Sequence, residues 1–403
     1  MYLRLLLPEI QTTLKDTPVI MLTGARQVGK TTLAQQLSDV YYTFDDLDTL
    51  NAAKDDPVGF VSALPQGSVL DEIQRVPELF LPLKAAVDRD RRAGKFILTG
   101  SANVLLLPNV ADTLVGRMAI FRLWPLSQLE LTASPAKPSS IIDNLFHNTH
   151  LPKVKVDKTL VSRVAKGGYP EALRRSGKRL SAWFGDYLTT LIERDIRDLS
   201  RISGLTDLPK LLRLLALRSA TVLSQADLAR DAALNAVTFR RYFDLLQATF
   251  LVYTLPAWFI NQTKRLVKAP KLHFTDTGVA SYLLGLDETT LVRDRSRYGQ
   301  LLESFVVAEL SKQLTWSDTR AELYHYRSHS GEEVDIMIEA AGGDMLGLEV
   351  KASATVSSDD FKALRSVQSV LGDKFVKGIV LYTGDKVLPF GERLWAAPVS
   401  LLY

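Results

Sequence analysis

Short apolar runs alternate with helical stretches through the first third of the chain. Val19-Ile20-Met21-Leu22 reads as a buried strand, and Thr32-Leu33-Ala34-Gln35-Gln36-Leu37 follows as a helical pattern. Two further strand patterns come later. Gly67-Ser68-Val69-Leu70 ends in Asp71-Glu72, and Lys95-Phe96-Ile97-Leu98 ends in Thr99-Gly100-Ser101. Strands alternating with helices at this spacing predict an α/β domain whose parallel sheet is covered by helices on both faces. Parallel crossovers bring the C-terminal ends of all the strands to one edge.

The pattern then changes. Ala133-Ser134-Pro135-Ala136-Lys137-Pro138-Ser139-Ser140 has loop composition, and Pro152 adds a second break. Beyond it Trp183, Tyr187, Leu188 and Leu191 recur at helical spacing, and Glu193 to Asp198 alternates in charge. Ser224 caps a short helical pattern, Ala232-Ala233-Leu234-Asn235 makes a turn, and Ala236 to Leu246 is a second amphipathic helix. Two short helices about this turn look like a helix-turn-helix, and Phe250 to Leu255 has the composition of a wing strand. Tyr298 to Leu310 is again an amphipathic helix. Leu323 to Arg327, Glu333 to Glu339 and Leu346 to Lys351 are strand patterns separated by His329-Ser330-Gly331 and Ala341-Gly342-Gly343-Asp344. The chain therefore divides into an α/β core (1–131), a linker and helical lid (132–204), a winged-helix-like unit (205–290) and a C-terminal α/β domain (291–403).

Composition narrows the class without changing this division. The chain has 403 residues, of which 46% are hydrophobic and 23% charged, which suits globular domains with real cores. A net charge of +4 neither demands nor excludes nucleic acid. There is no cysteine, hence no disulfide, thiolate nucleophile or thiolate metal site. His147, His150, His273, His325 and His329 show no metal-binding spacing. The apolar start is too short for a signal peptide, and no apolar run reaches the ~18 residues of a membrane span, so a soluble cytoplasmic protein is expected.

The chemistry starts at Gly24-Ala25-Arg26-Gln27-Val28-Gly29-Lys30-Thr31, a G-x-x-x-x-G-K-T sequence between strand and helix, followed by Thr32. Its glycines let backbone N–H groups surround phosphate oxygens, and a helix start adds partial positive charge. Lys30 can reach the outer phosphates of ATP and Thr31 can sit on Mg²⁺. Asp71 suits the Mg²⁺ shell, and Glu72 suits a general base for the attacking water. Ser101 and Asn103 can hydrogen-bond that water or the γ-phosphate; a simple polar turn fits them as well. Arg117 can stabilise transition-state charge, in cis or across an oligomer interface, or be a plain surface arginine.

The Gly24–Thr32 run, Asp71-Glu72-Ile73-Gln74, Leu98-Thr99-Gly100-Ser101 and the Gly116-Arg117…Trp124-Pro125-Leu126-Ser127 block resemble a group of prokaryotic AAA-type P-loop ATPases with a C-terminal DUF4143 domain. The resemblance extends over nearly the whole chain and covers the Arg194-Asp195 pair. It implies an ATPase with Mg²⁺, and a nucleotide-facing or domain-interface role for Arg194.

Arg240 and Arg241 on the second amphipathic helix, with Lys264, Arg265, Lys268 and Lys271 after it, form a candidate DNA-phosphate surface. The same fold serves elsewhere as a protein–protein or lid module. In the last domain, Glu303, Asp335 and Glu349-x-Lys351 form an E…D…E-x-K series, with Asp335 and Glu349 14 residues apart on adjacent strands. Two carboxylates, completed by Glu303, can bind Mg²⁺ or Mn²⁺, and Lys351 can position a water for attack on a phosphodiester. This arrangement resembles the PD-(D/E)XK restriction-endonuclease-like superfamily, with Val334-Asp335 where that pattern has Pro-Asp. Two functions are expected to compete. One is an ATP-driven switch or motor acting on nucleic acid, with a metal-dependent nuclease. The other is a regulatory ATPase whose inactive nuclease-fold domain binds a protein partner. Both allow a monomer or a small homo-oligomer.

Overall fold

A computed structural model describes residues 2–101, 114–132, 139–152, 154, 156–197, 205–259, 265, 268–328 and 331–403. The first α/β unit has five strands: β1 (Val19–Thr23), β2 (Tyr41–Thr43), β3 (Ser68–Asp71), β4 (Phe96–Gly100) and β5 (Met118–Arg122). All pair in parallel in the order β2-β3-β4-β1-β5. Every residue of β1, β3 and β4 is buried, as a sheet covered on both faces requires. One face packs Val19, Met21, Leu70 and Leu98 against the helices Leu47–Asp55, Pro57–Ala63 and Phe80–Arg89. The other packs Ile20, Leu22, Val69 and Ile97 into a larger core.

That larger core continues through the rest of the chain. It takes in Phe184, Leu188 and Leu191 of the helix Gly177–Thr190 and the π-helical turn Leu191–Ile196 that extends it. Next come the helices Leu208–Leu217, Gln225–Ala232 and Ala236–Ala248, with β6 (Thr221–Val222), β7 (Val252–Leu255) and β8 (Lys271–Phe274). The three strands form an antiparallel sheet in the order β6-β8-β7. Ser224 and Asn235 cap the second and third of these helices, accepting from Asp227 N and Thr238 N.

The C-terminal unit starts with the helix Arg295–Gln313. It continues with β9 (Ala321–Arg327), β10 (Glu333–Ala340), β11 (Met345–Lys351), the helix Lys362–Leu371, β12 (Phe375–Tyr382), β13 (Leu388–Gly391) and β14 (Leu394–Pro398). The sheet order is β13-β14-β12-β11-β10-β9. An antiparallel β9–β10–β11 meander is followed by a helical crossover to β12, parallel to β11.

Within the stretch expected as a linker, the described residues from Ile141 to Asn148 are firmly attached. The helix Ile141–His147 docks on the C-terminal unit: Gln313 Oε1 accepts from Ile141 N at 2.7 Å, and Lys377 Nζ donates to Leu145 O at 3.1 Å and Asn148 O at 2.7 Å. The Trp124-to-Ser127 block is the junction of all the units. Leu126 N donates to Gly168 O at 2.8 Å, and Leu126 O accepts from Lys312 Nζ at 3.1 Å. A Cβ on Gly168 would lie 2.2 Å from Leu126 O, so only glycine permits this approach.

Candidate functional site

The phosphate loop leaves the C-terminal end of β1. Gly29 adopts φ +99°, a left-handed conformation natural to glycine, and Gly24 lies so close to Leu123 that a Cβ would meet its carbonyl oxygen at 2.1 Å. The helix that follows is short, Lys30–Ala34. Lys30 is buried, and its ammonium donates to Gly24 O at 3.0 Å and Ala25 O at 2.9 Å. Burial lowers its pKa to about 8 against the opposing pull of Glu72, Asp71 and Asp195.

Three strand ends meet the loop because β4 lies between β1 and β3. Thr31 Oγ1 donates to Asp71, 3.2 Å from Oδ1 and 3.1 Å from Oδ2. This hydroxyl and carboxylate are the oxygen donor set that suits Mg²⁺, so the residues fit the metal expected here. Tyr41 OH donates to Asp71 Oδ2 at 2.6 Å, and the buried Thr99 hydroxyl donates to Oδ1. Glu72 stands in the left-handed region at φ 59°, where a residue with a side chain is strained. Its Oε2 accepts from Ser101 Oγ at 3.1 Å and from the Gln74 amide. Lys30, Thr31, Asp71, Glu72 and Ser101 therefore converge. Asn103 lies outside the described residues. Tyr41 and Thr99 were not expected; Thr99 sits in the same short motif as Ser101.

Arg117 is elsewhere. It precedes β5 and pairs with Asp88, with Nη2 3.1 Å from Oδ2, and its carbonyl accepts from Val19 N at the start of β1. It is thus on the N-terminal edge of the sheet, a strand length from the phosphate loop. The expected role in cis does not fit, because β5 carries its C-terminal end, and not Arg117, to the nucleotide edge.

The loop has a second tie. Arg26 Nη1 lies 2.6 Å from Asp195 Oδ1, with the two side chains only 23% and 11% exposed. Asp195 belongs to the π-helical turn that ends the helix Gly177–Thr190; such turns often mark functional positions. Among the described residues Asp195 Oδ2 is buried without a hydrogen-bond partner, and burial raises the carboxyl pKa despite Arg26. Its neighbour Arg194 reaches Asp45 Oδ1 at 2.8 Å, which Arg75 shares at 2.6 Å. Arg194 and Asp195 thus join the helical middle to the ATPase unit at its nucleotide edge.

In the C-terminal unit the structure gathers the expected acidic residues, but around a lysine. Lys271 Nζ, from β8 of the middle unit, lies 2.7 Å from Glu303 Oε1, 2.5 Å from Glu333 Oε1 and 3.3 Å from Asp335 Oδ1. Burial opposes its charge, yet the three carboxylates hold its pKa above the ordinary lysine value. Glu349 pairs with Lys351 at 2.8 Å; burial, with Asp335 nearby, raises its carboxyl to about 8. Asp335 Oδ2 also accepts from Val350 N at 2.9 Å. The expected Mg²⁺ or Mn²⁺ site at Glu303, Asp335 and Glu349 does not fit, because an ammonium stands among the carboxylates. Among the described residues no group of three or more His, Asp or Glu side chains is arranged to hold a metal ion.

The same placement changes the basic surface of the middle unit. Arg240 and Arg241 are exposed on the helix Ala236–Ala248. Lys271 is buried in the carboxylate cluster, and Arg265 pairs with Glu339 of β10 and lies over Trp258 and Tyr324. Trp258 N donates to His325 O at 2.7 Å, and His325 N to Pro256 O at 2.9 Å, which attaches the segment after β7 to the edge strand β9. Lys271 and Arg265 are therefore engaged by acidic partners and do not face phosphates. Lys264 lies outside the described residues.

A parallel sheet with a phosphate loop, an Asp-Glu strand end and a central polar strand end defines an AAA-type nucleotide-binding ATPase domain, and residues 16–132 match an AAA domain family. Residues 298–402 match a domain of unknown function, DUF4143, and residues 157–290 match another, DUF8612. An uncharacterized protein of Mycobacterium tuberculosis is 31% identical over 397 residues, covering 97% of this chain and 82% of its own length, and one of Mycobacterium bovis gives the same figures. The chain belongs to the family of these mycobacterial proteins. A solved signal transduction ATPase with a tetratricopeptide repeat sensor, from Pyrococcus horikoshii, aligns over 75% of this chain and 47% of its own at 12% identity; its TM-score of 0.24 carries no argument. No helix of the described residues is long and apolar enough to cross a membrane.

Proposed function

We propose that the protein is a Mg²⁺-dependent ATPase that works as a conformational switch, with hydrolysis at the phosphate loop read out by the helical middle and passed to the C-terminal unit. The observation that carries this reading is the convergence of Lys30, Thr31, Asp71, Glu72 and Ser101 on one sheet edge. Lys30 binds phosphate oxygens. Thr31 and Asp71 hold Mg²⁺, which when bound neutralises charge on the phosphates. Glu72, released from Gln74 and Ser101, takes the proton of the attacking water, and Ser101 orients that water. A triphosphate competes with Asp195 for Arg26, and this exchange loosens the tie to the helix Gly177–Thr190. The direct test is ATP hydrolysis by the whole chain. Lys30→Ala is expected to abolish it, and retained turnover would overturn the assignment.

For the output, the lysine within the carboxylate cluster favours a regulatory ATPase, with the C-terminal domain a docked, nuclease-like module, over metal-dependent cleavage. The helix–strand–helix–helix–hairpin order of the middle unit supports the winged-helix reading. Its exposed Arg240 and Arg241 support a nucleic-acid reading of that one face. In it, changing both to glutamate lowers the salt slope of DNA binding by about 2, and an unchanged slope removes DNA as a partner.

A further inference from the structure

We propose that Lys271 is a resident substitute for a divalent cation: its ammonium neutralises Glu303, Glu333 and Asp335, and removing it lets these carboxylates close on Mg²⁺ or Mn²⁺. The cluster is assembled from separate elements. Glu303 comes from the helix Arg295–Gln313, Glu333 and Asp335 from β10, and the cation from β8 of the preceding unit. Lys271 is only 2% exposed and is held at its backbone by pairing with Leu255 and Val222, so the side chain has no free run to solvent. A fourth carboxylate, Glu349, stands beside Asp335 with Oε2 buried and without a hydrogen-bond partner among the described residues.

Charge decides what this site needs. Glu303, Glu333, Asp335 and Glu349 face two ammoniums, those of Lys271 and Lys351. Burial pushes the carboxyls of Glu303 and Glu349 up, so the carboxylates here are ionised only with a cation, or are neutralised by a proton. The oxygens stand 2.5–3.3 Å from the ammonium nitrogen. Divalent cations need about 2.0–2.1 Å for Mg²⁺ and 2.3–2.6 Å for Ca²⁺. To reach Mg²⁺ distances the two glutamates close in by about half an ångström and Asp335 by about 1.2 Å, with Glu349 Oε2 as a further donor. While Lys271 is present the tethered ammonium is a competitor at high effective concentration. The cluster then clasps the middle unit to the C-terminal unit instead of holding a metal. This inference is independent of the nucleotide site.

The test is Mn²⁺ binding to the full chain without nucleotide, followed by the electron paramagnetic resonance signal of free Mn²⁺. Lys271→Met is expected to bind one more Mn²⁺ per chain than the wild type, in the roughly 10⁻⁴ M range of weaker all-oxygen sites. The additional ion is lost in Lys271→Met/Asp335→Asn, and Lys271→Arg, which keeps a cation, does not gain it. Equal binding by Lys271→Met and the wild type overturns the proposal. If Lys271→Met does not fold, the wild type decides: Mn²⁺ uptake that disappears in Asp335→Asn overturns the proposal, and uptake unaffected by Asp335→Asn supports it.

Discussion

The Arg26–Asp195 pair offers the sharpest prediction about the switch. Its charged groups meet at 2.6 Å, with side-chain exposures of 23% and 11%. Two unit charges about 4 Å apart attract by ~4 kcal/mol at an effective dielectric of 20. Desolvation offsets much of that, and here one oxygen of Asp195 is buried without a partner among the described residues. A coupling energy of about 1.5 kcal/mol is the expected remainder, at the lower end of close interfacial charge pairs. A double-mutant cycle of Arg26→Ala and Asp195→Ala, read by urea unfolding of the nucleotide-free protein, measures it. If ATP draws Arg26 away from Asp195, ATP binding must break this pair. Asp195→Ala then removes that cost and tightens ATP binding about tenfold, the equivalent of ~1.4 kcal/mol. In an Arg26→Ala background the same change leaves ATP affinity where it was. A coupling below ~0.5 kcal/mol, or weaker ATP binding by Asp195→Ala, would refute the exchange.

Three further outcomes are expected. Lys30, lowered by burial to about 8, has a folded pKa below its unfolded value of 10.5. Between these values the unfolded chain binds more protons, so this group makes stability rise with pH from about 8 to 10.5. Phosphate binding restores its charge, so at pH 8.5 ATP binding takes up most of a proton; calorimetry in buffers of different ionisation heat reads it, and equal uptake by Lys30→Met contradicts it. Gly168→Ala drives a methyl group into Leu126 O and is expected to cost ~2–3 kcal/mol, seen as a lowered Tm, whereas a neutral effect would show that the junction yields. Gly24→Ala meets Leu123 O in the same way at the nucleotide loop and is expected to lose ATP binding along with stability.

The phosphate loop, Asp71, Glu72 and Ser101 were legible because each is a local signal: a short motif, or the end of a buried strand. The helix capped by Ser224 was legible for the same reason, and so was the turn ending at Asn235, which also proves to cap the next helix. What the sequence did not reveal are pairings that depend on sheet order and docking. Tyr41 reaches Asp71 because β2 lies beside β3, and Thr99 does so because β4 lies on its other side. Arg26 and Asp195 are 169 residues apart. Arg117 stands before β5 and not after it, on the far edge of the sheet, which removes the role in cis and leaves the oligomer-interface and surface readings. Lys271 was counted within a basic run. Only docking of β8 on the helix Arg295–Gln313 and on β10 shows that its charge points inward, to carboxylates 32 and 64 residues further along the chain.

Glu72→Gln tests the central claim most directly, with ATP turnover and ATP affinity measured on the same full-length preparation. It keeps the side chain's shape but removes the base, so the account predicts ATP affinity within about threefold of the wild type and turnover reduced by at least ~100-fold. Turnover that survives the substitution would contradict the assignment of Glu72 and, with it, the proposed hydrolysis site.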